Sequence, residues 1–144
     1  MSKTELITDT MEVLLFVKKY VPLLASEKMN AIGLKRDGEL VAGILYERWT
    51  PHSVWVHLAA VPGKRWANRD FLYYCFAYPF MQVGVNKLMG FVDASNTEAR
   101  KLDEHLGFTQ EAILTGCTMD GGDAIIYSMT REQCRFLSLG AKSC

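Results

Sequence analysis

The chain has 144 residues, 49% of them hydrophobic, and its sixteen basic and sixteen acidic side chains cancel. That length fits one domain, residues 1–144, with a core large enough to need no disulfide or metal, and the hydrophobic share excludes a disordered chain. Zero net charge excludes a general nucleic-acid binder, which needs a basic footprint.

Cys75, Cys117, Cys134 and Cys144 are widely spaced without a Cys-x-x-Cys, and His52, His57 and His105 form no ligand cluster. No metal is therefore expected, and free thiols in a reducing compartment are. The polar N-terminus MSKTELITDT does not read as a signal peptide, and no run reaches the ~20 apolar residues of a membrane span. The expected location is the cytoplasm, away from membranes.

In chain order, Thr8–Tyr20 reads as a helix capped by Asp9 or Thr10, with Lys18 and Lys19 in its last turn and Pro22 stopping it. Any strand before it is barely visible. Met29–Trp49 reads as two strands around Asp37-Gly38, the strongest short hairpin signal. Ser53–Val61, rich in β-branched and aromatic residues, is a third strand. Pro62-Gly63 breaks it. From Asn68 a helix follows, with Phe71, Leu72, Cys75, Phe76 and Phe80 at helical spacing and Pro79 near its end. Asn86–Ala94 is another strand.

Ser95–Phe108 is a polar helix. Ser95 and Glu98 match a capping box, Ala99, Leu102 and Leu106 form one narrow apolar stripe, and Gly107 suits a left-handed C-terminus with Phe108 folding back near Leu102. Glu111–Met119 and Asp123–Thr130 are strands joined at Asp120-Gly121-Gly122, and Arg131–Leu139 is a terminal helix. The order predicts an α+β (three-layer α/β) fold: a mixed central sheet of about six or seven strands, with helices on both faces and one parallel strand–helix–strand crossover. Asn96 stands where a strand ends and a helix begins, where small ligands of such sheets bind.

The string N-x-x-A-x-x-L-x-x-x-L-G-F, Asn96 to Phe108, resembles the region following the acyl-CoA site in the GNAT N-acetyltransferase family. The order of elements from about Asn30 onward resembles that fold too. The likeness is nearest to the branch that acetylates ribosomal-protein N-termini, through Phe108, Glu111, Ile113–Met119 and Asp123–Gln133. It extends to short phage or prophage proteins with an Arg-Trp loop and a Tyr-Pro-Phe helix end, here Arg65-Trp66 and Tyr78-Pro79-Phe80.

The resemblance implies acetyl-CoA as co-substrate and no metal. The family binds the pyrophosphate on a loop with the pattern Arg/Gln-x-x-Gly-x-Gly/Ala, where glycines let the backbone approach and a helix N-terminus offers N–H groups. Arg65, Trp66, Ala67, Asn68, Arg69 and Asp70 occupy that slot. Asn68 replaces the first glycine and is among the few residues that accept positive φ. Asp70 replaces the second and puts a carboxylate beside the phosphates, which Lys64, Arg65 and Arg69 offset. The resemblance also implies a backbone N–H of Ala60 or Val61 polarising the thioester oxygen. Asn96 would orient the pantetheine or thiol end, and Arg100 would meet the phosphates.

For the general base, His57 interrupts an apolar strand just before the loop, and imidazole is the side chain suited to proton transfer near neutrality. The alternative is a histidine on the outer face of a strand. Glu47 is a second candidate base. Many family members carry a tyrosine acid seven residues after the asparagine. Here that position is Asp103, and an ionised carboxylate has no proton to give. Phe71, Tyr73, Tyr74, Phe76, Tyr78 and Phe80 form an aromatic block suited to core packing plus a homodimer surface, and Trp49 and Trp55 suit the lining of an acceptor cleft.

The expected function is acetyl transfer from acetyl-CoA to a primary amine by direct attack in a ternary complex, the acceptor being a small amine, a lysine or a protein N-terminus. The rival is a catalytically weak protein of the same fold that binds CoA or a partner protein, for example a phage factor acting on its host. Asp70 and Asp103 favour the rival.

Overall fold

The computed structural model describes residues 3–21 and 28–141. Asp37 and Gly38 both take positive φ, 52° and 84°, and close β2 (Asn30–Arg36) on β3 (Glu39–Glu47) as an antiparallel hairpin. β4 (Ser53–Ala60) runs antiparallel beside β3. On the other side of β2 lies β1 (Thr4–Ile7), paired from Thr4 with Arg36 to Ile7 with Gly33. Four residues are too few to show alternation, which is why the sequence barely signals this strand. Beyond β4 come β5 (Lys87–Asp93), β7 (Ala124–Thr130) and, at the far edge, β6 (Thr109–Leu114). The seven strands form one mixed sheet in which β4 and β5 are the parallel pair.

α1 (Thr10–Val17) starts where Asp9 accepts from the Glu12 N–H at 3.0 Å, as expected. It ends at Val17, so Lys18 and Lys19 lie beyond its last turn, and Pro22 lies outside the described residues. α1 packs on the sheet through two strand glycines. A methyl group on Gly43 would sit 2.8 Å from Val13 Cγ1, and one on Gly33 would sit 2.8 Å from Leu40 Cδ2 and 2.9 Å from Val13 Cγ2. Gly43→Ala must therefore push α1 outward and is expected to cost about 1–3 kcal/mol. Urea unfolding checks this, with an unchanged midpoint as the failing result.

α2 (Arg69–Ala77) runs on into a π-helical turn, Tyr78–Val83, closed by Gly84 at φ 96°. Pro79 has no N–H to give the Cys75 carbonyl four residues back. The buried Tyr46 hydroxyl donates to that oxygen instead, at 2.5 Å, so the chain continues through the proline.

α3 (Thr97–Leu106) corrects the expected cap. Asn96, not Ser95, is the N-cap, its side-chain oxygen accepting from the Ala99 N–H at 3.1 Å. Gly107 takes φ 106° as expected, but Phe108 folds back onto Phe76, with ring centroids 6.3 Å apart. The terminal segment is not one helix. A turn leads to a short 3-10 stretch, Arg135–Leu137, and then α4 (Ser138–Ala141), with the Phe136 ring stacked 4.9 Å from that of Phe76. Phe71, Phe76 and Phe80 are core residues, as expected of the aromatic block, whereas Tyr74 is half exposed. Trp49 is also structural: it packs on Tyr46 and Tyr78 and donates to Asn30 Oδ1 at 2.9 Å.

Two apolar clusters hold the domain. One lies under α1 and includes Val13, Phe16, Leu45 and Ala59. The larger gathers β2, β3, β4, β5 and β7 with α2 and α3. No helix among the described residues is long and apolar enough to cross a membrane.

Candidate active site

The site begins with a mismatch in strand pairing. β4 stays paired with β3 through Ala60, but it pairs with β5 only at Ser53–Lys87, Val54–Leu88 and Trp55–Met89. From Val56 onward the two parallel strands diverge, and the sheet opens. Into this opening runs a cleft of about 610 Å³, bounded by Leu58, Val61 and Trp66 on one side and by Ala99 and Leu102 of α3 on the other. A smaller gap of about 30 Å³ continues inward between Val56, His57, Phe91 and Asp103. Val21, Leu58, Asn96 and Ala99 line both spaces.

The backbone of β4 faces this opening in a defined way. The Val61 N–H donates to Val41 O on β3 at 2.8 Å. Bonded and non-bonded pairs alternate along an antiparallel ladder. With Ala42 opposite Ala60 and Ile44 opposite Leu58, the N–H groups of Leu58 and Ala60 turn away from β3 toward the gap. Of the two expected oxygen-polarising donors, Val61 is thus excluded by its bond to β3, and Ala60 has the right direction.

His57 and Glu47, separate candidates in the sequence, are one unit. Glu47 ends β3 and is only 7% exposed. His57 Nε2 and Glu47 Oε2 are hydrogen-bonded across the two strands. Arg48, held at φ 57°, brings its Nε to 3.9 Å from the other Glu47 oxygen. A buried carboxylate on one ring nitrogen fixes the tautomer and orientation of the imidazole. That leaves Nδ1 as the nitrogen for chemistry.

Asp103 departs from expectation. Its side chain lies in the inner gap, 8% exposed. Burial, with the Glu104 charge adding to it, pushes its carboxyl up to about 7. It is therefore partly protonated at neutral pH and does have a proton to give.

The expected cofactor residues are less well placed. Pro62, Gly63 and Trp66 of the β4–α2 loop line the cleft; Arg65, Ala67, Asn68, Arg69 and Asp70 are not among its lining residues. Asn68 has φ −93° and serves as the α2 cap, accepting from Phe71 N–H at 2.9 Å, so it takes no glycine-like conformation. Arg36 Nε donates to Arg65 O at 3.0 Å, and the Arg69 guanidinium donates to Leu139 O. Asp70 is exposed in the first turn of α2. Arg100 turns away from the cleft to Tyr127 Oη and Ala94 O. Asn96 does line the cleft, but its side chain caps α3 and its Nδ2 donates to Tyr20 O at 3.2 Å, tying the turn after α1 to α3.

Basic side chains do reach the cleft, from the helices. Lys101 and His105 lie one turn apart on α3, Lys19 follows α1, and Glu98 is the one acidic side chain among the described lining residues. The signal was available: 98, 101, 102 and 105 share one helical face, adjacent to the buried stripe. The charges alone read as a solvated surface. Among the described residues no group of His, Cys, Asp and Glu is arranged to hold a metal ion.

No protein-family model matches the chain, and no curated protein sequence does. Solved structures do. A spermidine N-acetyltransferase SpeG variant from Vibrio cholerae superposes with TM-score 0.71 at 13% identity, covering 95% of this chain and 98% of that one. The Campylobacter jejuni N-acetyltransferase PseH gives TM-score 0.59 at 18% identity over 89% and 98%. A probable acetyltransferase gives 0.60 at 17% identity, covering 74% of this chain, which spans 64% of that longer protein. The chain has the GNAT fold.

Proposed function

We propose, from that fold and the opened sheet, that the protein is an N-acetyltransferase that moves an acetyl group from acetyl-CoA to a primary amine, both bound at once. The divergence of β4 from β5, with the His57–Glu47 pair at its inner end, carries this reading. The lining fits the co-substrate. The directed N–H group of Leu58 suits the amide-bearing pantetheine arm, an apolar wall flanks it, and Lys19, Lys101 and His105 suit the phosphates. When bound, acetyl-CoA supplies an activated acyl group and a thiol leaving group.

The residues divide the remaining work. Ala60 N–H stabilises the charge that grows on the acyl oxygen. His57, held by Glu47, takes the proton from the attacking amine. Asp93, lining the inner gap, and Glu47 favour an acceptor that arrives as a cation. A small polyamine suits this best, so spermidine, the acceptor named for several structural neighbours, is the first to screen, ahead of lysine and protein N-termini. Neither argument for an inactive relative holds at this site, since Asp70 lies outside the cleft lining and Asp103 is buried and partly protonated.

Calorimetric titration with acetyl-CoA, followed by an amine screen for acetylated product, tests the reading. Absence of acetyl-CoA binding would end it. Lys101→Ala combined with His105→Ala is expected to weaken acetyl-CoA binding about tenfold, the scale of one charged hydrogen bond. Arg65→Ala should change it less than about twofold. The reverse order would return the phosphates to the loop.

A further inference from the structure

β1 borders β2 over its second half only. Their pairing ends at Ile7 opposite Gly33, because Asp9 then turns the chain into α1. The Asp37 N–H donates to Lys3 O at 2.7 Å, so the odd-numbered residues of β2 aim their main-chain groups toward the lane of β1. Ala31 continues that series and has no strand opposite it. Among the described residues no hydrogen bond reaches its N–H or its C=O on that side, and Ala31 is only 5% exposed. An unpaired main-chain donor and acceptor in so buried a residue are costly. A sheet edge that no charge or proline guards accepts another strand.

This edge opens into a notch of about 370 Å³, the size of a ligand pocket. Leu6 and Thr10 close it from β1 and α1, and Tyr74, Tyr78 and Gln82 close it from α2 and its π-helical turn. Such turns are frequent at functional sites. Tyr78 is a fixed wall, its ring packed edge-on against Tyr46 and Trp49. Trp49 Nε1 donates to Asn30 Oδ1, which leaves the Asn30 amide nitrogen to donate into the notch. None of the described lining residues carries a charge. The notch shares no lining residue with the cleft or the inner gap, from which β3 separates it.

We propose that the notch binds an uncharged, extended peptide segment that continues the lane of β1 beside β2. One peptide residue meets both Ala31 groups: its N–H donates to Ala31 O, and its C=O accepts from the Ala31 N–H. Only an amide-bearing chain offers that donor and acceptor together at strand spacing. In an antiparallel pair, residues opposite one another share a face of the sheet. The preceding peptide residue then stands opposite Ile32 and the following one opposite Asn30, on the face that carries Tyr46. Ile32 is buried and apolar, so the first of these is an apolar residue. Asn30 offers an amide, so the second carries a hydroxyl or an amide. A charged side chain would lose its hydration and meet no opposite charge in the lining.

Titration of the full chain with the blocked peptide acetyl-Val-Ala-Thr-amide, followed by nuclear magnetic resonance, tests this. The Ala31 amide proton is expected to move downfield and to exchange with solvent at least about tenfold more slowly at saturation, while the signals of α3 stay in place. The same peptide with N-methylalanine at its centre cannot donate to Ala31 O, and is expected to bind at least about tenfold more weakly. Tyr74→Ala removes a half-exposed wall of the notch. It is expected to weaken the peptide about fivefold and to leave acetyl-CoA binding unchanged. An Ala31 signal that does not respond at about millimolar peptide, or equal binding of the N-methyl peptide, overturns the proposal. So does an Ala31 shift that appears on concentrating the protein alone, which would give the edge to a second copy of the chain.

Discussion

Replacing His57 by alanine is expected to lower kcat/KM for acetyl transfer by about 10²–10⁴, with acetyl-CoA affinity changed less than about twofold because the loss falls on chemistry rather than on binding. The substitution has a second effect. Glu47 is buried and bonded to the imidazole. Removing that partner strands its carboxylate and costs about 1–3 kcal/mol of stability. His57→Gln separates the two effects, since a glutamine amide still donates to Glu47 but is no base. It should restore the melting temperature and leave the rate low. Steady-state kinetics and thermal melts on both variants check this. A His57→Gln variant with wild-type turnover would remove His57 from the chemistry.

Asp103→Asn is expected to make the protein more stable above neutral pH and to flatten its stability between pH 4 and 7. The ordinary value for this carboxyl is 3.8, and the fold raises it to about 7. Between those values the native state holds a proton that the unfolded chain has released. Its stabilising contribution is complete below pH 3.8, falls as pH rises, and is gone above about 7. Three units correspond to about 4 kcal/mol at most, or on the order of 10 °C in melting temperature for a domain of this size. Wild type and variant should therefore melt alike at pH 4 and diverge by pH 8, with the variant higher. Parallel melting curves at all pH values would show that the carboxyl titrates normally.

Much of the fold is local, and local patterns carry it. Asp37-Gly38 needs only positive φ at two adjacent residues to make its hairpin. Gly107 likewise stops α3 wherever α3 happens to pack. The misses came where tertiary partners intervened. Ser95-x-x-Glu98 is a good local cap, yet Asn96 wins because its amide also reaches the Tyr20 carbonyl in the distant turn after α1. Pro79 reads as a helix stop, and the chain passes through it because Tyr46, from β3, supplies the missing donor.

The candidate site divides the same way. Its residue types were visible one at a time: His57 breaking an apolar strand, Glu47 ending another, Asn96 at a strand–helix junction. The expected cofactor loop was drawn from a pattern, and the structure moves the charges elsewhere. Lys101 and His105 reach the cleft because α3 presents that face to the opened sheet, while Arg100, on the same helix, is drawn off by Tyr127 and Ala94. No spacing in the chain states which way a helix turns.

By itself the sequence determined the order of elements from β2 to β7, the mixed sheet, and a histidine and a glutamate on neighbouring strands, because hydrophobic period and turn chemistry act over a few residues. Only the tertiary structure decided that those two side chains bond, that β4 leaves β5 after three paired residues, and that Asp103 is buried with its carboxyl pushed up to about 7. Register, strand divergence and desolvation depend on groups far apart in the chain, and it is desolvation that turns an ordinary surface carboxylate into an acid at neutral pH.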